Sequence, residues 1–169
     1  MTNRNRTIIT RPVERDDATT LCELLNEIIH VGGTTAMESP LTDEVFANTF
    51  IETPTLICCH VAIDEAGLLV GFQSLERDPD LPANWGDIGT FTRITPKCPG
   101  VGTALFSTTK AYAENAKMAA LNATIRADNT GGLAYYEKMG FRTYAVTPRV
   151  PLHSGTKVDR ISKQLLLSA

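Results

Sequence analysis

Helix-like and strand-like segments alternate along the whole chain, and this alternation constrains the fold more than any other feature of the sequence. The apolar residues of 18–28 recur at helical spacing, which is typical of an amphipathic helix. The segments 55–63 and 68–75 are instead rich in β-branched and apolar residues, and the four residues between them fit a hairpin turn. The sequence therefore predicts a mixed α/β fold.

The predicted order of elements is β-α-α-β-β-β-α-β-α-β-β. We expect strands at 7–11, 55–63, 68–75, 87–94, 122–126, 141–146 and 158–167. Helices are expected from Asp16 to the glycine pair 32–33, from Thr42 to about residue 51, over 100–116 and over 129–138. There is no internal repeat and no linker long enough to divide the chain, so residues 1–169 are expected to form one domain.

Charge and cysteine content argue against several kinds of partner. The 16 Lys and Arg against 19 Asp and Glu give a net charge of −3, whereas a nucleic-acid binder normally carries a basic excess. No apolar run approaches the ~18 residues of a spanning helix, and the polar segment 1–6 does not resemble a signal peptide. The four cysteines form no C-x-x-C pair and only three histidines accompany them, which does not favour a metal site. We expect a cytoplasmic protein with reduced thiols that binds no nucleic acid, membrane or metal.

A pair of glycines lies where the fourth predicted strand meets the third predicted helix. The run from 94 to 105 is Ile-Thr-Pro-Lys-Cys-Pro-Gly-Val-Gly-Thr-Ala-Leu. Glycine lets backbone approach a ligand, and a helix N-terminus offers unpaired N–H groups, a combination that suits a phosphate. The alternative is a tight turn in which the glycines serve the backbone conformation alone. A P-loop is excluded because no lysine follows Gly102, and a dinucleotide fingerprint is excluded because position 105 is leucine.

This junction resembles the signature of the GNAT superfamily of acyl-CoA-dependent N-acyltransferases. Their [Q/R]-x-x-G-x-[G/A] motif corresponds to residues 97–102, with Lys97 in place of Gln or Arg. The stretch from Asn129 through Tyr135, Tyr136 and the pair 140–141 resembles the family's second motif, N…A-x-[YF]-Y-x-K-x-G-F. The order of elements matches as well. The segment 26–42 is similar to the phosphinothricin-acetyltransferase-like branch, whose members acylate small amines, often amino acids or their analogues.

The resemblance implies a mixed, mostly antiparallel twisted sheet flanked by helices, with acetyl-CoA bound where the fourth and fifth strands splay apart. The backbone of 92–94 would pair with pantetheine like an added strand, and the glycine junction would hold the pyrophosphate. Asn129 would bind the pantetheine arm or cap the helix that it begins. The residues expected to bind the cosubstrate are Thr92, Arg93, Ile94, Lys97, Gly100, Val101, Gly102, Thr103, Ala104, Asn129 and Tyr136.

Acyl transfer to an amine needs a base for the amine, a stabilised carbonyl oxygen and a proton for the departing thiolate. By the resemblance, Tyr136 is the expected acid, and the alternative is a core aromatic on one helical face with Leu133. Tyr135 is expected to pack or to line a surface elsewhere. Asp87 and Glu76 are the candidate bases, and the alternative for each is a solvated surface carboxylate.

The expected function is transfer of an acetyl group from acetyl-CoA to a primary amine of a small molecule, by direct attack in a ternary complex. The alternatives are a non-catalytic acyl-CoA-binding sensor or interaction module on the same scaffold, and a protein N-acetyltransferase. A homodimer is expected through the strand 158–167, which carries three consecutive leucines at 165–167. The alternative there is a strand covered on both faces within one subunit.

Overall fold

The computed structural model describes residues 7–168, so the polar segment 1–6 and residue 169 lie outside the described residues. Within them, the strands are β1 (Ile9–Pro12), β2 (Leu56–Ile63), β3 (Leu69–Glu76), β4 (Trp85–Thr92), β5 (Ala120–Arg126), β6 (Arg142–Pro151) and β7 (Lys157–Leu166). The α-helices are α1 (Ala18–Val31), α2 (Asp43–Phe50), α3 (Val101–Asn115) and α4 (Thr130–Lys138), and a short 3-10 helix, Arg15–Asp17, precedes α1. The predicted order of elements is confirmed. Thr42 caps α2 as expected, because its hydroxyl accepts a hydrogen bond from the Val45 N–H at 3.2 Å.

All strands of the described chain join one sheet, in the order β1-β2-β3-β4-β5-β7-β6. Neighbouring strands are antiparallel except β4 and β5, which run parallel, so the predicted mostly antiparallel sheet is confirmed. Pairing between β4 and β5 joins Trp85, Gly86 and Asp87 to 120–122. Beyond Asp87 the two strands diverge within the described structure, and this divergence opens a cleft in the middle of the sheet.

The helices cover the sheet in two layers. The first, α1 and α2, packs Leu21, Phe46 and Phe50 against one face, while α3 and α4 pack on the other face through residues such as Phe106 and Tyr136. The adjacent cysteines of β2 point to opposite faces, because Cys59 joins the first cluster and Cys58 joins the second. Among the described residues, none of the helices combines the length and apolar content needed to cross a bilayer.

Most strand bounds differ from the sequence prediction by one or two residues, and the end of β6 differs by five. β6 extends to Pro151 rather than ending near residue 146, because it pairs with β7 as far as the couple Pro151–Lys157, across an irregularity between Thr147 and Val150. Proline is tolerated there since β6 is the edge strand. β4 runs from Trp85 to Thr92, two residues earlier at both ends than the predicted range 87–94.

The three consecutive leucines of the last strand do not form an apolar surface. Leu165 and Leu167 pack on the cluster beneath α3 and α4, whereas Leu166 is 68% exposed. β7 lies between β5 and β6, so both of its edges are already paired. The homodimer therefore stays a prediction, but the apolar leucine surface on which it was based is not present in the described structure.

Candidate functional site

The cleft between β4 and β5 is the mouth of a cavity of about 850 Å³. The N-terminus of α3 forms one end of this cavity, and the carboxylates of Glu76 and Asp87 line the other. Tyr135 and Tyr136 of α4 form part of its wall. Most residues that the sequence analysis selected thus surround one space: Thr92, Arg93, Ile94, Lys97, Gly100, Val101, Gly102, Asn129, Tyr136, Asp87 and Glu76.

The first turn of α3 presents free N–H groups to the cavity. Gly100 precedes the helix with a φ of +87°, a left-handed conformation that favours glycine. The first hydrogen bond of the helix runs from the Ala104 N–H to the Gly100 carbonyl at 3.0 Å. The N–H groups of 101–103 therefore have no intrahelical partner, as at any helix start, and they can receive an anion. The N–H of Ala104 is committed within the helix, and the side chains of Thr103 and Ala104 lie outside the cavity wall.

Gly102 serves close packing rather than an unusual backbone conformation. A Cβ atom at this position would lie 2.7 Å from Cε2 of Tyr135. The Tyr135 hydroxyl donates a hydrogen bond to the Gly102 carbonyl at 2.7 Å. The two motifs recognised in the sequence, one on α3 and one on α4, are thus in direct contact.

The backbone of β4 turns alternate peptide groups toward the cleft. The Arg93 N–H donates to the Val70 carbonyl at 2.8 Å, so Arg93 is a hydrogen-bonded partner of β3. In an antiparallel ladder the intervening residues point their N–H and C=O groups the other way, toward the β5 side. These are Ile88, Thr90 and Thr92. Of the predicted segment 92–94, the Arg93 N–H is therefore unavailable to a ligand in the cleft.

Tyr136 is buried, and its hydroxyl lies 2.8 Å from the Thr90 hydroxyl. Burial raises the pKa of this phenol above its ordinary value, and the hydrogen bond with Thr90 acts in the opposite direction. Gln73 donates from Nε2 to the same Thr90 hydroxyl at 2.8 Å. The ring of Tyr136 also packs edge-on against Phe141. Tyr136 is thus a core aromatic with a hydroxyl at the cavity wall, so the two interpretations of this residue are compatible.

Asn129 caps α4 and also ties it to the segment before α2. Its Oδ1 accepts from the Gly132 N–H at 2.9 Å, and its Nδ2 donates to the Thr34 carbonyl at 3.0 Å. The capping interpretation is correct, while contact with pantetheine stays a prediction. Because both ends of the amide are engaged, this residue fixes where the segment crosses the cavity.

The segment 34–41 covers the cavity on the side of α1. Thr34, Thr35, Ala36 and Met37 line the space directly. Arg126 donates to the Thr35 carbonyl at 3.3 Å, and the Glu38 carboxylate accepts from the His153 N–H at 3.0 Å. Further along, Asn26 and Leu41 exchange hydrogen bonds of 2.8 and 2.9 Å. Contacts from α1, β5, the loop between β6 and β7, and the N-cap residue of α4 therefore hold this cover in place.

Glu76 and Asp87 are cross-strand neighbours on β3 and β4. Burial raises the pKa of Glu76, and the nearby charge of Asp87 adds to the rise. Burial also raises the pKa of Asp87, against a hydrogen bond from the Asn122 Nδ2 at 2.7 Å, which lowers it. The two carboxylates are thus partly desolvated groups at the cavity wall rather than fully solvated surface charges.

Four polar residues in or beside the cavity wall were not predicted from the sequence: Gln73, Thr90, Tyr135 and Asn122. The polar residues on β3 and β5 stand out in sequence only as interruptions of apolar strands, and period-two alternation places them on a face without saying which strand lies beside them. Within residues 7–168, no three His, Cys, Asp or Glu side chains are grouped as a metal site would require.

A known protein family matches this chain in sequence profile, and known structures match it in fold. The sequence profile of the Acetyltransferase (GNAT) family matches residues 21–141, and no curated protein matches the chain. A crystal structure provisionally identified as a phosphinothricin N-acetyltransferase is 25% identical, with a TM-score of 0.85 over 96% of this chain and 100% of that chain.

Two further structures have the same fold. The phosphinothricin acetyltransferase of Sinorhizobium meliloti, solved with acetyl-CoA, is 19% identical, with a TM-score of 0.84 over 96% of this chain and 89% of that chain. The ribosomal-protein-alanine N-acetyltransferase of Brucella melitensis is 19% identical, with a TM-score of 0.83 over 94% of this chain and 99% of that chain. The family profile spans most of the chain and includes both motifs that line the cavity, and this chain therefore belongs to the Acetyltransferase (GNAT) family.

Proposed function

We propose that this acetyltransferase moves the acetyl group of acetyl-CoA to the primary amine of a small molecule, an amino acid or an analogue of one. The observation that carries the proposal is the arrangement around β4. Tyr136 approaches this strand at Thr90 from the α4 side, while Asp87 and Glu76 line the same cavity nearer the start of the strand. A proton donor and a proton acceptor thus flank the space in which a thioester and an amine can meet.

Acetyl-CoA fits the residues present. The N–H groups of 101–103 would receive the pyrophosphate, and Lys97 would add a positive charge beside it. The peptide groups of Ile88, Thr90 and Thr92 that point into the cleft would pair with the pantetheine arm. Asn129 would contact the same arm at the edge of the cavity.

The transfer proceeds by direct attack in a ternary complex. The carboxylate pair of Glu76 and Asp87 accepts a proton from the ammonium form of the substrate, and the freed nitrogen lone pair attacks the thioester carbon. Peptide N–H groups of β4 stabilise the charge that develops on the carbonyl oxygen. The carbon–sulfur bond then breaks and the thiolate takes the phenolic proton of Tyr136. The former amine nitrogen releases its remaining extra proton, which returns by way of solvent to the Tyr136 phenolate, and the neutral amide and free CoA leave. Tyr135 cannot take the same role in this arrangement, because its proton is already donated to the Gly102 carbonyl.

A small acceptor is favoured over a protein because the segment 34–41 covers the acceptor side of the cavity. Its hydrogen bonds to Arg126, Asn129 and His153 hold this segment against the cavity, which narrows the space available to a peptide. The fold itself does not distinguish a small-molecule acceptor from a protein acceptor. Solved structures described as phosphinothricin and ribosomal-protein acetyltransferases superimpose on it equally well.

The test is release of CoA thiol from acetyl-CoA in the presence of a panel of free amino acids, amino-acid analogues, diamines and N-terminal peptides. Turnover with a small amine supports the proposal, and turnover with peptides alone would replace it with protein acetylation. Tight binding of CoA with no turnover on any amine would instead support an acyl-CoA sensor.

We also propose that the protein is cytoplasmic and forms a homodimer. The cysteines of the described chain, Cys22, Cys58, Cys59 and Cys98, are all free and buried, which suits a reducing compartment. Burial raises the pKa of Cys58 to about 12, so this thiol stays unreactive at neutral pH. The side chain of Leu166 at the end of β7 is exposed, and a second subunit would cover it.

A further inference from the structure

Asn122 lies behind the candidate base rather than in the cavity, and it joins three strands. It is 2% exposed on β5 and forms the last pair with Asp87 before β4 and β5 diverge. Its Nδ2 donates to Asp87 Oδ1 at 2.7 Å and to the Thr124 hydroxyl at 3.1 Å. Its Oδ1 accepts from the Tyr144 hydroxyl of β6 at 2.6 Å. Both polar ends of this buried amide are therefore engaged.

The partners of the amide determine which way it is oriented. An ionised carboxylate can only accept hydrogen bonds, so the Asn122 group that faces Asp87 must be the NH₂ group. The carbonyl group then faces Tyr144, whose hydroxyl can donate to it. Tyr144 is in turn held by the indole of Trp85, with ring centroids 5.9 Å apart in an edge-on arrangement. The bridge Tyr144–Asn122–Asp87 thus connects an edge strand to a carboxylate at the cavity.

We propose that Asn122 is a positioning residue, which holds the Asp87 carboxylate toward the substrate through a hydrogen-bonded bridge anchored by Tyr144. This inference rests on the proposed role of Asp87 and Glu76 as the pair that accepts the substrate proton. Both bonds are short, and a carboxylate oxygen bound to a buried amide loses the freedom to rotate away from the cavity. Precise placement of a reacting group matters because small displacements cost large factors in rate.

The surroundings of Asp87 show why this donor matters. The titratable groups that act on it or are affected by it are Glu76 on β3, Asp78 after β3, Tyr136 on α4 and Tyr144 on β6. Each is an acid, so none of them offsets a negative charge. Asn122 provides the hydrogen bond that favours the charged form of Asp87 against burial and against Asp78. The negative charge of an ionised Asp87 disfavours a second negative charge on Glu76 and so raises the pKa of Glu76. Glu76 is therefore a better proton acceptor.

The experiment follows the carboxyl ¹³C signal of Asp87 through a pH titration of the full chain, with the signal assigned by its loss in Asp87→Asn. In Asn122→Leu the titration midpoint of Asp87 is expected to rise by about one pH unit, because a donor to the charged form is lost. In Tyr144→Phe a smaller rise is expected, since the amide is released from its anchor. Tyr112→Phe, which alters an exposed phenol on α3, is the control and leaves the midpoint unchanged.

Steady-state kinetics with the best amine complete the test. Both bridge variants are expected to lose about tenfold in kcat/KM for the amine and to keep the Kd for CoA. If Asn122→Leu does not fold, Tyr144→Phe carries the test, because it changes an exposed edge-strand residue. An Asp87 midpoint that is the same in the parent and in the folded bridge variants overturns the inference. A shifted midpoint in a chain that acetylates no amine supports the bridge and rejects the proposed function, so the two failures are distinguishable.

Discussion

The Tyr135 hydroxyl donates to the backbone carbonyl of Gly102 across 2.7 Å, and this bond joins α4 to the first turn of α3 at the cavity wall. The same hydroxyl accepts a hydrogen bond of 3.3 Å from Gln73 Nε2, so it is engaged on both sides. The neighbouring Tyr136 is bonded to Thr90 instead. The two adjacent tyrosines of α4 therefore have different partners: Tyr135 contacts the first turn of α3, and Tyr136 contacts Thr90 of β4.

Tyr135→Phe is expected to weaken CoA binding about fivefold while leaving the acetyl-transfer step nearly unchanged. The lost hydrogen bond is worth about 1 kcal/mol, and the first turn of α3 becomes less well held. Calorimetric titration with CoA measures the effect, and Tyr112→Phe on the outer side of α3 is the matched control. Unaltered CoA affinity would mean that the first turn of α3 keeps its position without this bond.

Gly102→Ala is expected to lower CoA affinity more than Tyr135→Phe does. The new Cβ would meet the Tyr135 ring at 2.7 Å, so either the ring or the first turn of α3 must move. Removing the ring in a Gly102→Ala, Tyr135→Ala double variant is expected to relieve this clash. The losses of the two single variants should therefore not add, as is usual for residues in contact. Strictly additive losses in CoA binding would show that the two positions act separately.

Tyr136→Phe is expected to slow acetyl transfer by about 10²-fold and to leave CoA affinity nearly intact. General acids contribute ~10²–10⁴-fold, and a thiolate is a fair leaving group, which favours the lower value. The variant keeps the ring that packs on Phe141, so it separates the chemical role from the packing role. Single-turnover transfer at saturating acetyl-CoA is the measurement. A rate equal to that of the parent, with chemistry limiting, contradicts the acid assignment.

The sequence was sufficient to predict the residues that face the cavity through their own motifs, and insufficient for those that act through a neighbour. Gly100, Gly102 and Tyr136 are predicted because they match the two motifs that resemble those of the GNAT superfamily. Asn122 could be placed on the polar face of β5, since the alternate residues Leu121 and Ala123 are apolar. Its contact with Asp87 depends on the pairing of β5 with β4, which joins three residue pairs. That pairing is a tertiary contact, so no local sequence pattern predicts it.

The length of β6 shows the same limit in the fold. Pro148 and Pro151 predict a loop, because proline cannot donate to a ladder. The structure continues the strand past Pro148 and ends it at Pro151, since β6 has a free edge and β7 supplies partners as far as Lys157. Edge position is a property of the completed sheet, and the sequence of the strand does not contain it.

Light scattering at micromolar concentration is expected to give the mass of a dimer. The exposed Leu166 is the apolar side chain of β7 that a second subunit would cover. Leu166→Ser is expected to weaken the dimer and to leave thermal stability nearly unchanged, because this side chain is 68% exposed in the subunit. A clean monomer of the parent chain rejects the homodimer.

Glu76→Gln is expected to stabilise the protein above neutral pH while lowering activity. Because burial and the charge of Asp87 raise the pKa of Glu76, the folded protein binds this proton more readily than the unfolded chain. The stability linked to Glu76 is therefore fully present below the unfolded-state pKa and is lost as the pH rises through the raised pKa. The neutral amide mimics the protonated acid, so the midpoint of thermal unfolding should exceed that of the parent at about pH 8 and match it at about pH 4.

Over the same range the parent's kcat/KM should fall as the pH drops through the raised pKa of Glu76, because the base form is lost. The variant should lose about 10²-fold in kcat/KM at the parent's optimal pH. Glu137→Gln on the exposed face of α4 is the control and should change neither property with pH. A Glu76→Gln protein that is less stable than the parent at about pH 8 would show that the Glu76 charge is compensated in the fold, and would remove it as the desolvated base.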